Sequence, residues 1–142
     1  MKKKLHIVKI GGNVIDNEES LKKFLLDFSK IKQKKILVHG GGKTATELAQ
    51  KLGIEQSIVN GRRVTDAETL KIVTMVYAGL LNKQIVAILQ SNKTNAIGLS
   101  GADMDCIKTA QRMNSEIDFG FVGDIADNGV NSELISSLIK KI

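Results

Sequence analysis

Apolar and polar positions change their period several times along the chain, and each change marks an element. Residues 5–10, Leu-His-Ile-Val-Lys-Ile, read as a short strand that runs into Gly11, Gly12 and Asn13. Leu21, Phe24, Leu25, Phe28 and Ile31 then recur at helical spacing, predicting a helix over about 18–30, with Asp16 and Glu19 at the spacing of a capping box. A second buried-type strand over 36–39 leads into Gly40, Gly41 and Gly42, and a helix follows over about 44–52. Thr44 with Glu47 has the capping-box spacing there, and Gly53 sits where a helix terminator belongs. Two successive strand, glycine-loop, helix units predict an α/β fold, a three-layer sandwich with a mainly parallel central sheet.

The pattern then turns antiparallel. Residues 57–59 and 62–65 flank Asn60-Gly61, a strong hairpin signal. Thr65 and Glu68 have capping-box spacing before a helix over about 67–81, in which Glu68 and Lys71 are the only charged residues. Because its apolar residues lie all round, this helix is expected to be covered on more than one side, by its own domain or by a second subunit. A further helix is expected over 82–90, a strand over 95–99, weaker strands over 107–110 and 119–125, and a closing helix over 131–142. That last helix reaches Ile142 without a capping Gly or Asn, so the sequence looks cut where a connection to another strand would begin.

With 142 residues the chain is one ordinary domain, and its balance of 42% apolar and 25% charged residues is that of a globular protein. It holds no uninterrupted apolar run near the roughly 18 residues of a membrane span, and no membrane partner is expected. The Lys-rich start at residues 1–4 leads into alternating residues rather than a signal-type stretch, so a cytoplasmic location is expected. A net charge of +6 suits an anionic ligand, but aromatics are only 4% and the lysines are scattered, so no nucleic-acid partner is expected. Cys106 is the single cysteine and reads as a small buried residue.

The glycines carry the chemical signal. Gly40, Gly41, Gly42, Lys43 and Thr44 resemble a P-loop ending, but the Gly required five residues earlier falls at Leu37, inside the strand. Gly40, Gly42 and Ala45 fit the shorter dinucleotide pattern, with Arg62 or Arg63 near the place of an NADP-type arginine. The Asn60-Gly61 hairpin stands where that fold wants a second parallel strand. What remains is two glycine loops that open helices, each presenting free backbone N–H groups and a helix dipole to an anion. Lys9 lies in an apolar strand two residues before Gly11, a costly place unless its ammonium emerges at an anionic ligand.

Lys9-Ile10-Gly11-Gly12-Asn13, His39-Gly40-Gly41-Gly42 and Asn60-Gly61-Arg62-Arg63-Val64-Thr65 resemble the amino acid kinase family. So do Ala96-Ile97-Gly98-Leu99-Ser100-Gly101-Ala102-Asp103 and Phe119-Gly120-Phe121-Val122-Gly123-Asp124-Ile125, and together these segments run through the whole chain. The likeness is to members that use ATP to phosphorylate the side-chain carboxylate of N-acetyl-L-glutamate, or another N-acylglutamate, in arginine biosynthesis. It implies that residues 1–142 form an N-terminal domain for acylglutamate binding and homodimerisation, lacking the C-terminal ATP domain and inactive alone. By this resemblance Lys9 stabilises the transferring phosphoryl group, with Gly11 and Gly12 beside it on the ATP phosphates. Gly41 and Gly42 hold the reacting oxygens and Arg63 grips the α-carboxylate. The co-substrate implied is ATP with Mg, with no tightly bound cofactor and no metal ligands in this chain. Arg62 is expected at the surface, His39 packed beside its loop, and Asp103 and Asp124 as hydrogen-bonding loop residues. An NADP-binding module and a non-catalytic ligand-binding dimerisation domain stay open as alternatives.

Overall fold

The computed structural model describes residues 4–113 and 116–142, so Met1 to Lys3 of the basic start lie outside the described residues. Strand β1 (Leu5–Lys9) pairs in parallel with β2 (Lys34–Val38), Ile7 opposite Ile36 and Lys9 opposite Val38. The crossover between them carries a single short turn, α1 (Gly12–Ile15), and helix α2 (Glu18–Ser29). After β2 comes α3 (Gly42–Lys51), then the hairpin of β3 (Ile58–Val59) and β4 (Arg62–Arg63). Asn60 and Gly61 both take positive φ, 50° and 73°, the geometry that a two-residue turn needs to match the twist of its strands.

One unbroken helical run of 25 residues, Ala67–Ser91, follows where the pattern predicted two helices. It consists of α4 (Ala67–Thr74), a π-helical stretch Met75–Leu81, and α5 (Asn82–Ser91). By length and composition it is long and apolar enough to cross a membrane, but one face of it builds the core. Thr69, Ile72, Val76, Leu81, Ile85 and Leu89 are buried on that face. They pack with Leu21, Leu25 and Phe28 of α2, Ala45 and Ala49 of α3, and Ile10 and Ile15 beside the loops. The opposite face leaves Met75 and Leu80 exposed. The chain closes with the antiparallel pair β5 (Ile107–Gln111) and β6 (Gly123–Val130), then α6 (Ser132–Lys141).

Several local expectations shift. All three capping boxes are displaced: α2 is capped by Asn17, which accepts from the Ser20 N–H at 2.8 Å, and α4 by Asp66, which accepts from Thr69 at 2.7 Å. Helix α3 starts at Gly42, two residues before Thr44, and has Gly41 as its N-cap. Residues 95–99 form no strand, because side chains of α5 take their carbonyls. Gln90 donates to Ala96, Lys83 to Gly98 and Asn82 to Leu99. Strand β6 starts at Gly123 rather than 119, since residues 119–121 instead embrace Thr65. The Thr65 N–H donates to Phe119 and its carbonyl accepts from Phe121.

A further capping device was not anticipated. Lys35 of β2 sends its ammonium to the carbonyls of Phe28, Ser29 and Ile31 at 2.8–3.1 Å, closing the C-terminal end of α2. The positive charge meets the negative end of that helix, and it also lies 5.1 Å from the Phe28 ring centre.

Candidate carboxylate and phosphate site

Because β1 and β2 are parallel neighbours, both glycine loops emerge at the same sheet edge, stitched by a hydrogen bond from Ile10 N–H to Val38 O of 2.9 Å. The two helices that open from these loops, α1 and α3, have no side-chain cap, whereas α2, α4 and α6 are capped by Asn17, Asp66 and Asn131. Their first-turn N–H groups are therefore left to a ligand or to water. Helix α3 supplies the longer dipole, and α1 adds donors from a single turn.

The π-helical stretch fixes the second loop. A Cβ on Gly41 would stand 2.4 Å from Leu81 Cδ1 and 3.1 Å from the Tyr77 ring, so only glycine lets the loop reach this wall. His39 adds a polar brace: its Nδ1 lies 2.9 Å from the Gly40 carbonyl, and its Nε2 lies 3.4 Å from Nδ2 of buried Asn82. Since a carbonyl only accepts, Nδ1 carries the proton and Nε2 accepts from Asn82. His39 thus packs beside its loop, as expected, and also holds it.

Arg63 does more than face the site. Its Nη2 donates to Gly42 O at 2.9 Å and Thr46 Oγ1 at 2.8 Å, and its Nη1 to the Gln56 side chain. Gln56 in turn donates to Thr69 Oγ1 at 3.0 Å, which ties hairpin, α3 and α4 together. Beside this junction opens a cavity of about 440 Å³, with Arg62, Arg63, Thr65, Tyr77 and Arg112 on its wall.

Two expectations need correction here. Lys9 is exposed, because alternate residues of β1 face an uncovered side on which Ile7 is 66% exposed; no burial cost forces its ammonium toward a ligand. Arg62 is exposed, as expected of a surface residue, and it also lines the cavity. Asp124 lies in β6 and is an ion-pair partner, not a loop hydrogen-bonder: both its oxygens accept from the Arg112 fork. That hydrogen bonding, followed by the charges of Arg112 and Arg62, holds its carboxyl below the usual aspartate range. Asp103 does act in its loop, accepting from the N–H and hydroxyl of Ser100, which likewise lowers its pKa. Cys106 is buried, with its thiol 3.1 Å from Ser100 O. Among the described residues no group of three or more His, Cys, Asp or Glu could hold a metal ion.

The sequence reading missed Tyr77, Asn82 and Arg112. Tyr77 and Asn82 reach the site from the long helical run and Arg112 from the residue after β5, where the local pattern signals only helix or strand.

Fold and site together define an α/β domain with two glycine loops at one end of a parallel strand pair, one of them tied through Arg63 to a cationic cavity. Residues 4–142 match the model of the amino acid kinase family, and the chain belongs to that family. It is 63% identical to the acetylglutamate kinase of Cytophaga hutchinsonii over 123 residues, 86% of this chain and 47% of the relative. Against the acetylglutamate kinase of Phocaeicola vulgatus it is 55% identical over 141 residues, 99% of this chain and 54% of the relative. The chain thus spans about half the length of these relatives. Its fold matches that of smu.665 from Streptococcus mutans (TM-score 0.74, 22% identity, 96% of this chain and 55% of that one). It also matches an N-acetylglutamate synthase from Neisseria gonorrhoeae solved with coenzyme A and N-acetyl-glutamate (TM-score 0.74, 18% identity, 96% and 31%).

Proposed function

We propose that this chain is the acylglutamate-binding half of an enzyme that transfers the γ-phosphoryl group of ATP to the side-chain carboxylate of an N-acyl-L-glutamate. The observation that carries this reading is the bond from Arg63 to Gly42, which sets the cavity that Arg63 lines beside one of two neighbouring uncapped glycine loops. The half-length match to acetylglutamate kinases supports it.

In this reading the substrate spans the site. Its α-carboxylate meets Arg63, and its side-chain carboxylate lies against the N–H groups of Gly41 and Gly42. The ATP phosphates, with Mg carried by the nucleotide, approach over Gly11 and Gly12. In-line transfer between two anions asks for positioning and charge stabilisation more than covalent help. Free N–H donors supply both without reorganising. Lys9, at the end of β1 with an unburied ammonium, reaches over the same edge to the moving phosphoryl group. The remaining nucleotide contacts come from a partner domain of the longer enzyme, so the 142 residues alone bind substrate without turning it over. We place the enzyme in the cytoplasm, where ATP and glutamate derivatives meet, and as a homodimer joined through the face bearing Met75 and Leu80.

Titrating the isotopically labelled chain with N-acetyl-L-glutamate tests the reading. Saturable shifts of the Gly41 and Gly42 amides and the Arg63 side chain, absent with the D-isomer, are expected. Shifts scattered over the lysine-rich surface instead would exclude it.

A further inference from the structure

The reading above, on which this inference rests, sets a carboxylate against the N–H groups of Gly41 and Gly42. The peptide that carries the Gly41 N–H has glycine on both sides, so no side chain stops it from turning over. Turned over, it would offer an anion the Gly40 carbonyl in place of a donor. In a trans peptide the carbonyl and the N–H point in opposite directions, so whatever holds the Gly40 carbonyl also aims the Gly41 N–H. That holder is His39, whose Nδ1 lies 2.9 Å from the Gly40 oxygen. The Gly41 N–H itself finds no acceptor among the described residues.

The ring can donate to Gly40 only with a proton on Nδ1, and a neutral imidazole can equally carry its proton on Nε2. The choice is made behind the ring. Asn82, buried at the start of α5, turns its Nδ2 to His39 Nε2 at 3.4 Å and to the Leu99 carbonyl at 3.3 Å. Its Oδ1 accepts from Lys83 Nζ at 3.1 Å, and the same ammonium donates to Gly98 O at 3.0 Å. An ammonium only donates and a carbonyl only accepts, so two separate neighbours fix which way the Asn82 amide faces. The amide must then donate to Nε2, which leaves the proton on Nδ1. The chain at 98–99 is shaped to this amide, since a Cβ on Gly98 would collide with Asn82 Oδ1.

We infer that Lys83, Asn82 and His39 form a relay of positioning residues that aims the Gly41 N–H at the substrate carboxylate by holding the imidazole in its Nδ1–H tautomer.

Nitrogen NMR of the imidazole and calorimetric titration with N-acetyl-L-glutamate, both on the 142-residue chain, test this. At about pH 8, where an ordinary imidazole is neutral, His39 should show Nδ1 protonated and Nε2 bare. Asn82→Leu should lose that preference and weaken the ligand about fivefold to tenfold, the scale of one hydrogen bond. His39→Leu should weaken it equally. His39→Asn, whose amide can put a donor where Nδ1 stands, should recover most of the loss. In the His39→Asn background Asn82→Leu should cost no further affinity, whereas a residue that merely packs would cost the same in both backgrounds. An Nε2–H tautomer in the wild type, or an Asn82→Leu loss undiminished in the His39→Asn chain, would overturn the inference and leave the acylglutamate site standing. Equal affinities of His39→Leu and His39→Asn would overturn it too, a comparison that holds whether or not Asn82→Leu folds. Failure of every chain to bind the ligand saturably would overturn the acylglutamate site and the inference with it.

Discussion

Arg63 Nη2 donates to the carbonyl oxygen of Gly42 at 2.9 Å, so the β3–β4 hairpin is fastened to the loop that opens α3. One guanidinium thereby fastens the fold, and in the proposed reading it also meets the substrate carboxylate.

Arg63→Ala should release the hairpin from the loop and remove the carboxylate's partner. Binding of an N-acyl-L-glutamate should weaken by about 2–5 kcal/mol. Lys should restore little, because it lacks the fork. Calorimetry decides: affinity within about twofold of wild type would detach Arg63 from the substrate.

Gly41→Ala should destabilise the domain by about 1–3 kcal/mol, the usual cost of forcing extra volume into a packed wall. The clash is with Leu81, so the double variant Gly41→Ala/Leu81→Ala should recover part of the loss. Urea unfolding of the two single variants and the double variant measures the coupling.

Leu80 is 57% exposed and Val76 is fully buried, one turn apart on the same helix. Leu80→Asp should give a folded monomer, and Val76→Asp should fail to fold because it buries an unpaired charge. Analytical sedimentation reads both. A wild-type monomer at concentrations on the order of tens of micromolar would refute the dimer.

Asp66, Asp103 and Asp124 all have carboxyls lowered by hydrogen bonds from, respectively, Thr69, Ser100 and Arg112. A lowered folded-state pKa means stability that is present above the unfolded value and lost as pH falls through the folded one. Melting temperature should therefore drop as pH is lowered below about 4. Asp124→Asn should flatten part of that slope, and an unchanged slope would show that the Arg112 pair contributes nothing to folding.

Lys9→Met in the full-length enzyme should lower turnover by about 10² to 10³ with little change in substrate affinity, the scale for one lost preorganised donor. Arg should rescue poorly, its charge being more spread. Steady-state kinetics with both substrates varied separate the cases. Near-normal turnover with only a raised Michaelis constant for ATP would make Lys9 a binding residue alone.

What was legible in the chain was what local chemistry decides. The two strand, glycine-loop, helix units and the Asn60-Gly61 turn stand where the residues put them, because periodicity and backbone freedom act within a few positions. The caps of α2 and α4 moved by a residue because Asp16 sits beside Asn17 and Thr65 beside Asp66. Adjacent capping side chains are distinguished only by which residue takes the extended backbone. Residues 95–99 have a strand's composition, but Asn82, Lys83 and Gln90 satisfy their carbonyls from across the fold. Likewise nothing local tells that Arg62, Tyr77 and Arg112, up to fifty residues apart in sequence, share a cavity.

Asn82 aside, the buried positions of the long helix are spaced three, four, five, four and four residues apart, from Thr69 through Ile72, Val76, Leu81 and Ile85 to Leu89. The single gap of five is the extra residue of the π-helical stretch, and it works as a phase correction. Downstream of it, the helix meets the core and His39 on the same meridian as upstream. Deleting any one residue of Met75–Leu81 would turn everything after it by about 100° about the axis. Ile85 and Leu89 would swing toward solvent, and Asn82 would leave His39. The stretch therefore tolerates substitution on its outer face far better than any change of length.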